Sequence, residues 1–242
     1  KFTYIIIPRK ISPVTLPWSN LSTLCMEYAY TLINKLLNEL FPVLCFKCGK
    51  RDTYICAECA SQIPRITHDE KGFLSVFQYK DPSIRALLQS LKYKGGHTVA
   101  QRCAEVLYEN TCEELGDWAL LSMIKNPLIV PIPLHVSRLK ERSFNQAELI
   151  AKEFAALDTS FKLCIDVLVR IKDTKSQTKM KNREDRIKNV RDCFEVRNSE
   201  KIKNENIILI DDVYTTGATL HEARAALKTS GAREVLCCTI AH

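Results

Sequence analysis

IILIDDVYTTGATL, residues 207–220, sets four aliphatic residues, two adjacent aspartates and a Thr/Gly cluster side by side. A short run that is apolar at every position fits a strand buried on both faces, the kind a parallel sheet uses. Residues 207–210 are therefore read as that strand, with Asp211 and Asp212 at its end. Thr215, Thr216 and Gly217 then turn the chain into a helix over 217–230, GATLHEARAALKTS, which Gly231 closes at its C-terminus. A second apolar strand, EVLCCTIA at 234–241, follows. Strand, helix, strand in this order makes a parallel crossover unit.

The alternation extends upstream. FLSVFQY (73–79) reads as a strand, and SIRALLQSLKYKGG (83–96) carries Ile84, Leu87, Leu88 and Leu91 at helical spacing. A further helical pattern covers about 98–115, with another turn after GDW at 116–118. PLIVPIPL (127–134) gives a strand ended by prolines, FNQAELIAKEFAAL (144–157) a helix, and DCFEV (192–196) one more strand. The fold class is α/β, a mostly parallel sheet flanked by helices. Upstream of all this, Leu21, Leu24, Cys25, Tyr28, Leu32, Leu36 and Leu40 share one helix face. The chain divides into an N-terminal extension with this amphipathic helix (1–40), a cysteine-rich module (41–64) and the α/β domain (70–242).

At 242 residues, 46% hydrophobic and 26% charged, with seven glycines and nine prolines, the composition excludes fibrous and disordered classes. The most apolar segment, 21–41, is interrupted by Glu27, Asn34, Lys35, Asn38 and Glu39, so no transmembrane span is expected. KFTYIIIPRK at the start is cut short by Pro8 and Arg9 and does not read as a signal peptide. Seven of the eleven cysteines are scattered, as small buried hydrophobes are in a reducing, cytoplasmic setting. The net charge of +7 is concentrated in 170–191, where nine Lys/Arg face three Asp/Glu. Such a run is either a solvated face or a contact for polyanions.

The four grouped cysteines, in CFKCGKRDTYICAEC, place Cys45 and Cys48 two residues apart and Cys56 and Cys59 likewise. Two such knuckles supply the tetrahedral sulfur set of a structural Zn²⁺ site, with no open position for catalysis. His68 is surplus to that set.

In an open parallel sheet, ligands bind beyond the carboxyl ends of strands, where Asp211 and Asp212 fall. The turn after them offers backbone N–H groups and the hydroxyls of Thr215, Thr216 and Thr219 at a helix N-terminus, an anion site, with Gly217 permitting close approach. The carboxylates accept hydrogen bonds from sugar hydroxyls, so a sugar phosphate satisfies both halves. The same residue types also serve a plain helix cap, and spacing alone leaves both readings open.

Taken together, these pieces resemble the type I phosphoribosyltransferases, whose phosphoribosylpyrophosphate (PRPP) motif is a strand with two acids followed by a Thr/Gly phosphate loop. Their order resembles the ComF family more specifically: a four-cysteine module after LFP, LKYKG (91–95), VPIPLHVSRLKERSFNQAELIA (130–151), a basic stretch, then the PRPP motif, together spanning about 39–242. The resemblance implies a type I phosphoribosyltransferase-like fold in which Asp211 and Asp212 hold the ribose hydroxyls of PRPP and Thr215, Thr216, Gly217, Ala218 and Thr219 bind its 5′-phosphate. It implies a pyrophosphate loop including His135, Arg138, Arg142, Asn145 and Gln146, and a mobile basic hood over 170–191 with Arg170, Lys175, Gln177 and Arg183. Mg²⁺ bridging the pyrophosphate oxygens is implied as well. This chain departs from the family's pattern at Ser143, commonly glycine, and at Tyr214, commonly aliphatic.

Two functions follow from the resemblance. One is a PRPP-binding factor in natural transformation, handling internalised single-stranded DNA alongside competence proteins. The other is an active phosphoribosyltransferase of nucleotide or amine metabolism, although no acceptor signature is legible. Tyr93 and Phe144 stand beside cations, but 170–191 has no aromatic residue, so the sequence's DNA signal is electrostatic.

Overall fold

The structure, a computed structural model, describes residues 39, 42–66, 70–92, 96–122, 126–173 and 189–242. The N-terminal amphipathic helix, Tyr93, Lys175, Gln177 and Arg183 lie outside them. Residues Leu44–His242 form one compact unit. In chain order it contains α1 (Ala57–Gln62), β1 (Phe73–Phe77), α2 (Pro82–Ser90), α3 (Gly96–Ser122), β2 (Leu128–Pro131), α4 (Val136–Arg142), α5 (Gln146–Ala156) and β3 (Lys162–Leu163). β4 (Leu168–Arg170), β5 (Phe194–Val196), β6 (Asn206–Val213), α6 (Ala218–Thr229) and β7 (Glu234–Ala241) complete it.

Five strands form a parallel sheet in the order β1-β7-β6-β2-β3, while β4 and β5 pair antiparallel as a separate ribbon. Side-chain alternation along β6 divides the core. Ile207 and Leu209 pack on one side with Leu220, Ala223 and Leu227 of α6, whereas Ile208 and Ile210 pack on the other with Val99, Ala100 and Cys103 of α3 and Ile150 and Phe154 of α5. Both sides are buried, which is why the strand reads as a continuous apolar run. Among the described residues no helix is long and apolar enough to cross a membrane.

The boundaries differ from expectation in three places. β6 runs on to Val213, because Asp211 pairs with Thr239 and Val213 with Ala241, so the acids belong to the strand. α3 continues through Gly116 as one helix of 27 residues; a single helical glycine costs about 1 kcal/mol relative to alanine and does not break a helix otherwise held. α4 had no signal, since none of its residues is buried and no apolar stripe marks it.

α4 ends at Ser143, which adopts φ 67°, the left-handed conformation of a helix C-cap. Glycine takes this conformation freely and L-residues at a cost of ~1–2 kcal/mol, which explains the family's preference there. Ser143→Gly is expected to raise stability by about 0.5–1 kcal/mol, after the greater freedom of glycine in the unfolded chain is subtracted. A denaturant midpoint that moves up at constant slope checks it.

Candidate functional site

The strand order places the site. From β6 the chain crosses through α6 to β7 on one side, and from β2 it passes through α4 and α5 to β3 on the other, so the crossovers diverge between β6 and β2. Ligands enter open parallel sheets at such a switch point. There the carboxyl end of β6 meets the segment after β2, joined by the Ile132 N–H donating to the Ile210 carbonyl at 2.8 Å.

Asp211 and Asp212 are half-buried, and alternation sends their side chains to opposite faces of the strand end. The Asp212 N–H donates to Asp211 Oδ1 at 2.8 Å. Loss of water and the neighbouring Asp212 charge push the Asp211 carboxyl well above the usual range, against the field of Arg170. At the N-cap of α6, Gly217 holds φ 73°, and a Cβ there would lie 2.3 Å from Tyr214 Oη. Both its conformation and the space above it require glycine. The Tyr214 N–H donates to the Ala241 carbonyl at 2.8 Å, fixing this loop to β7. Asp211, Tyr214, Thr215, Gly217 and Thr219 line a narrow cleft of about 10 Å³. Thr216 Oγ1 is buried with no hydrogen-bond partner among the described residues. An uncommitted hydroxyl beside the N–H groups of a helix N-terminus suits an anion's oxygens.

Across the switch point, Arg138 and Arg142 are half-buried on α4. Arg142 donates to Gln146 Oε1 at 3.3 Å, and the Gln146 amide nitrogen is buried without a hydrogen-bond partner among the described residues. Asn145 is committed to the fold: its amide donates to the Ile132 carbonyl at 2.9 Å and accepts from the Ala147 N–H at 3.2 Å, capping α5. His135 caps α4.

Arg170 ends β4 and rests over the Phe194 ring, 5.5 Å from its centroid. Burial works against its charge, whereas the fields of Cys193 and Asp211 favour it and that of Arg138 opposes it. Arg138, Arg170 and Asp211 thus share one electrostatic neighbourhood. The basic stretch is the connection between β4 and β5, and both its ends are tied down. Ser137 of α4 donates to Asp173 at 2.7 Å, and the Asp192 N–H donates to Glu222 of α6 at 2.6 Å. Neither tether was legible in the sequence, since each joins residues 30 or more positions apart.

The four cysteines come together elsewhere in the unit. Their sulfurs all lie within 4.8 Å of one another, with Cys48–Cys56 at 3.7 Å and Cys45–Cys56 at 4.0 Å. A tetrahedron of 2.3 Å Zn–S bonds needs sulfurs about 3.8 Å apart, so the set fits Zn²⁺. Burial raises the Cys45 thiol, but backbone N–H groups of Cys48, Cys56 and Lys47 overcome it and bring the pKa down to about 6. Cys59 is pushed up to about 12, by burial and then by the neighbouring thiols. Thiolates this close repel one another, and a dication among them is what lets all four ionise. Cys45, Cys56 and Cys59 are buried in the core shared with α3, whose Arg102 donates to the Ile55 carbonyl at 2.9 Å.

The phosphoribosyl transferase domain family matches residues 123–242, the segment that carries the switch point and both of its loops. Competence protein ComFC of Bacillus subtilis (strain 168) is 30% identical over 204 residues, covering 81% of this chain and 75% of that protein. The chain belongs to the ComF family. Competence protein F of Haemophilus influenzae is 27% identical over 197 residues, 79% of this chain and 81% of its own length. DNA utilization protein YhgH of Salmonella typhi is 26% identical over 203 residues, 79% and 81% respectively. As a ComF protein the chain joins a four-cysteine module to a phosphoribosyltransferase-like α/β domain. Its two departures from the ComF pattern are absorbed locally, Ser143 as a left-handed cap and Tyr214 as a lid on Gly217.

Proposed function

We propose that this ComF protein binds PRPP with Mg²⁺ and acts in natural transformation by handling internalised single-stranded DNA in the cytoplasm. The observation that carries the reading is the juxtaposition at one strand end: two carboxylates, a hydroxyl and N–H lined turn, and the Arg138 and Arg170 guanidinium groups in the same electrostatic neighbourhood. Asp211 and Asp212 accept from the ribose hydroxyls. Residues 215–219 receive the 5′-phosphate, and Arg138, Arg142 and Arg170 face the pyrophosphate, whose oxygens guanidinium groups bind in a bidentate manner. Among the described residues the four cysteines are the one group of three or more metal-binding side chains within reach of a common ion. Mg²⁺ would therefore arrive on the oxygens of PRPP, where it neutralises charge on the leaving group. The names of the relatives, two competence proteins and a DNA utilization protein, support the cellular role.

Calorimetric titration with PRPP and Mg²⁺ tests the ligand, and absence of heat from the unaltered protein overturns it. Pyrophosphate release across a panel of bases and amines then separates an active transferase from a sensor. For the DNA role, the basic segment 170–191 predicts salt-dependent binding. If about three phosphates are neutralised, affinity for single-stranded DNA falls roughly twentyfold between 50 and 200 mM salt. A flat salt profile in a fluorescence-anisotropy assay counts against it.

A further inference from the structure

On the far side of loop 213–215 from the switch point, over β7 and β1, lies a second cleft of about 540 Å³. This is within the usual size range of small-ligand sites. Its walls are Ile66 before β1, Gln78, Tyr79 and Lys80 after it, Val213 at the end of β6, Tyr214 and Thr215 after it, and His242 after β7. Backbone hydrogen bonds join these walls: the Tyr79 N–H donates to the His242 carbonyl at 2.8 Å, the His242 N–H to the Phe77 carbonyl at 3.0 Å, and the Tyr214 N–H to the Ala241 carbonyl at 2.8 Å. The rings of Tyr214 and His242 lie 4.6 Å apart, and Tyr79 is 41% exposed at the rim. Burial lowers the pKa of His242, which favours the neutral form of its imidazole. Lys80 makes no ion pair among the described residues.

Three aromatic rings around a cleft suit a planar heterocycle, Gln78 offers a donor and an acceptor to its edge, and Lys80 suits a phosphate. Residues 213–215 are also the wall of the phosphate-loop cleft, so the two spaces share a partition one strand wide. We propose that the second cleft is a nucleobase site for a single strand of nucleic acid whose backbone phosphate sits in loop 215–219, with a base next to that phosphate stacked among Tyr79, Tyr214 and His242. The assignment rests on the reading of 215–219 as a phosphate loop. PRPP and the strand then compete for one phosphate position, while the base position belongs to the strand alone.

The test is fluorescence titration of the full chain with dinucleotides carrying 2-aminopurine on either side of the phosphodiester, since stacking quenches that base. Quenching is expected, reversed by excess PRPP, with affinity reduced about tenfold by Tyr79→Ala and retained by Tyr79→Phe. Unquenched fluorescence, or quenching indifferent to Tyr79→Ala, overturns the base site. Quenching that PRPP leaves unchanged overturns the shared phosphate. PRPP calorimetry on the same proteins keeps the two readings apart: Tyr79→Ala binding PRPP normally while losing the dinucleotide supports the cleft. PRPP binding by the unaltered protein without quenching sinks the cleft alone.

Discussion

Replacing Asp211 and Asp212 together by asparagine is expected to weaken PRPP binding at least a hundredfold while raising the thermal midpoint. Hydrogen bonds from a neutral donor to a carboxylate contribute about 1.5–3 kcal/mol each, so losing two of them accounts for a hundredfold or more. The stability gain has a separate origin. Asp211 is drawn out of water next to a second carboxylate, and its pKa lies well above the usual range. The folded chain therefore holds this proton at pH values where the unfolded chain, with its carboxyl near 3.9, has released it. Stability from this group is full below about pH 4 and is lost as pH rises through the folded-state pKa. Asparagine removes that loss, so the midpoint difference between variant and parent grows with pH across this window and then levels off. If the acids merely capped α6, the variant would be destabilised and its pH profile would parallel the parent's. Calorimetry for binding and scanning fluorimetry from pH 4 to 8 distinguish the two.

A strand end that lowers stability and stays desolvated is what a binding site looks like before its ligand arrives. The strained placement of the two acids was legible in the sequence, because DD at the end of IILI contradicts a sheet's local preferences and a Thr/Gly turn follows at once. The parallel sheet was legible for a related reason: residues 207–210 of β6 and 235–238 of β7 are apolar at every position, which burial on both faces imposes. The partners across the sheet were not. Arg170 reaches Asp211 from a different layer, Ser137 meets Asp173 over 36 residues, and Tyr79 joins His242 through a backbone bond between strand ends. Local pattern encodes an element's faces, whereas strand order decides which loops become neighbours. The helix α4 was illegible because it buries nothing and is held by its caps, His135 and Ser143. Asn145 carries a structural role that its place in a loop did not announce: its amide donates to the Ile132 carbonyl and accepts from the Ala147 N–H, capping α5.

Stripping zinc, by a chelator or by Cys56→Ser, is expected to cost several kcal/mol and to lower the thermal midpoint by roughly 8–16 °C if the loss is about 4 kcal/mol. The module has little else to hold it. Its helix α1 is six residues long, far below what stands alone in water, and its buried apolar residues are Ile55, Ile63 and the cysteines themselves, with Tyr54 and Ala60 partly buried against them. Cys45 and Cys56 come from different knuckles, so losing the ion frees both at once and leaves thiols in the core beside Val99 and Cys103 of α3. The damage therefore reaches the face of the sheet that α3 covers, and the whole unit should melt earlier in one transition. Cys238 is the matched control: it is buried on the same side of the sheet, its pKa is pushed up to about 12 by burial, and Cys238→Ala should cost far less and leave metal content unchanged. One zinc per chain by elemental analysis, lost together with stability in Cys56→Ser, is the expected pairing. Metal-free protein with an unchanged midpoint would show that the knuckles close by packing alone. A mass lower by about 2 Da per bridge would instead reveal disulfides, which these sulfur distances could reach only by rearrangement.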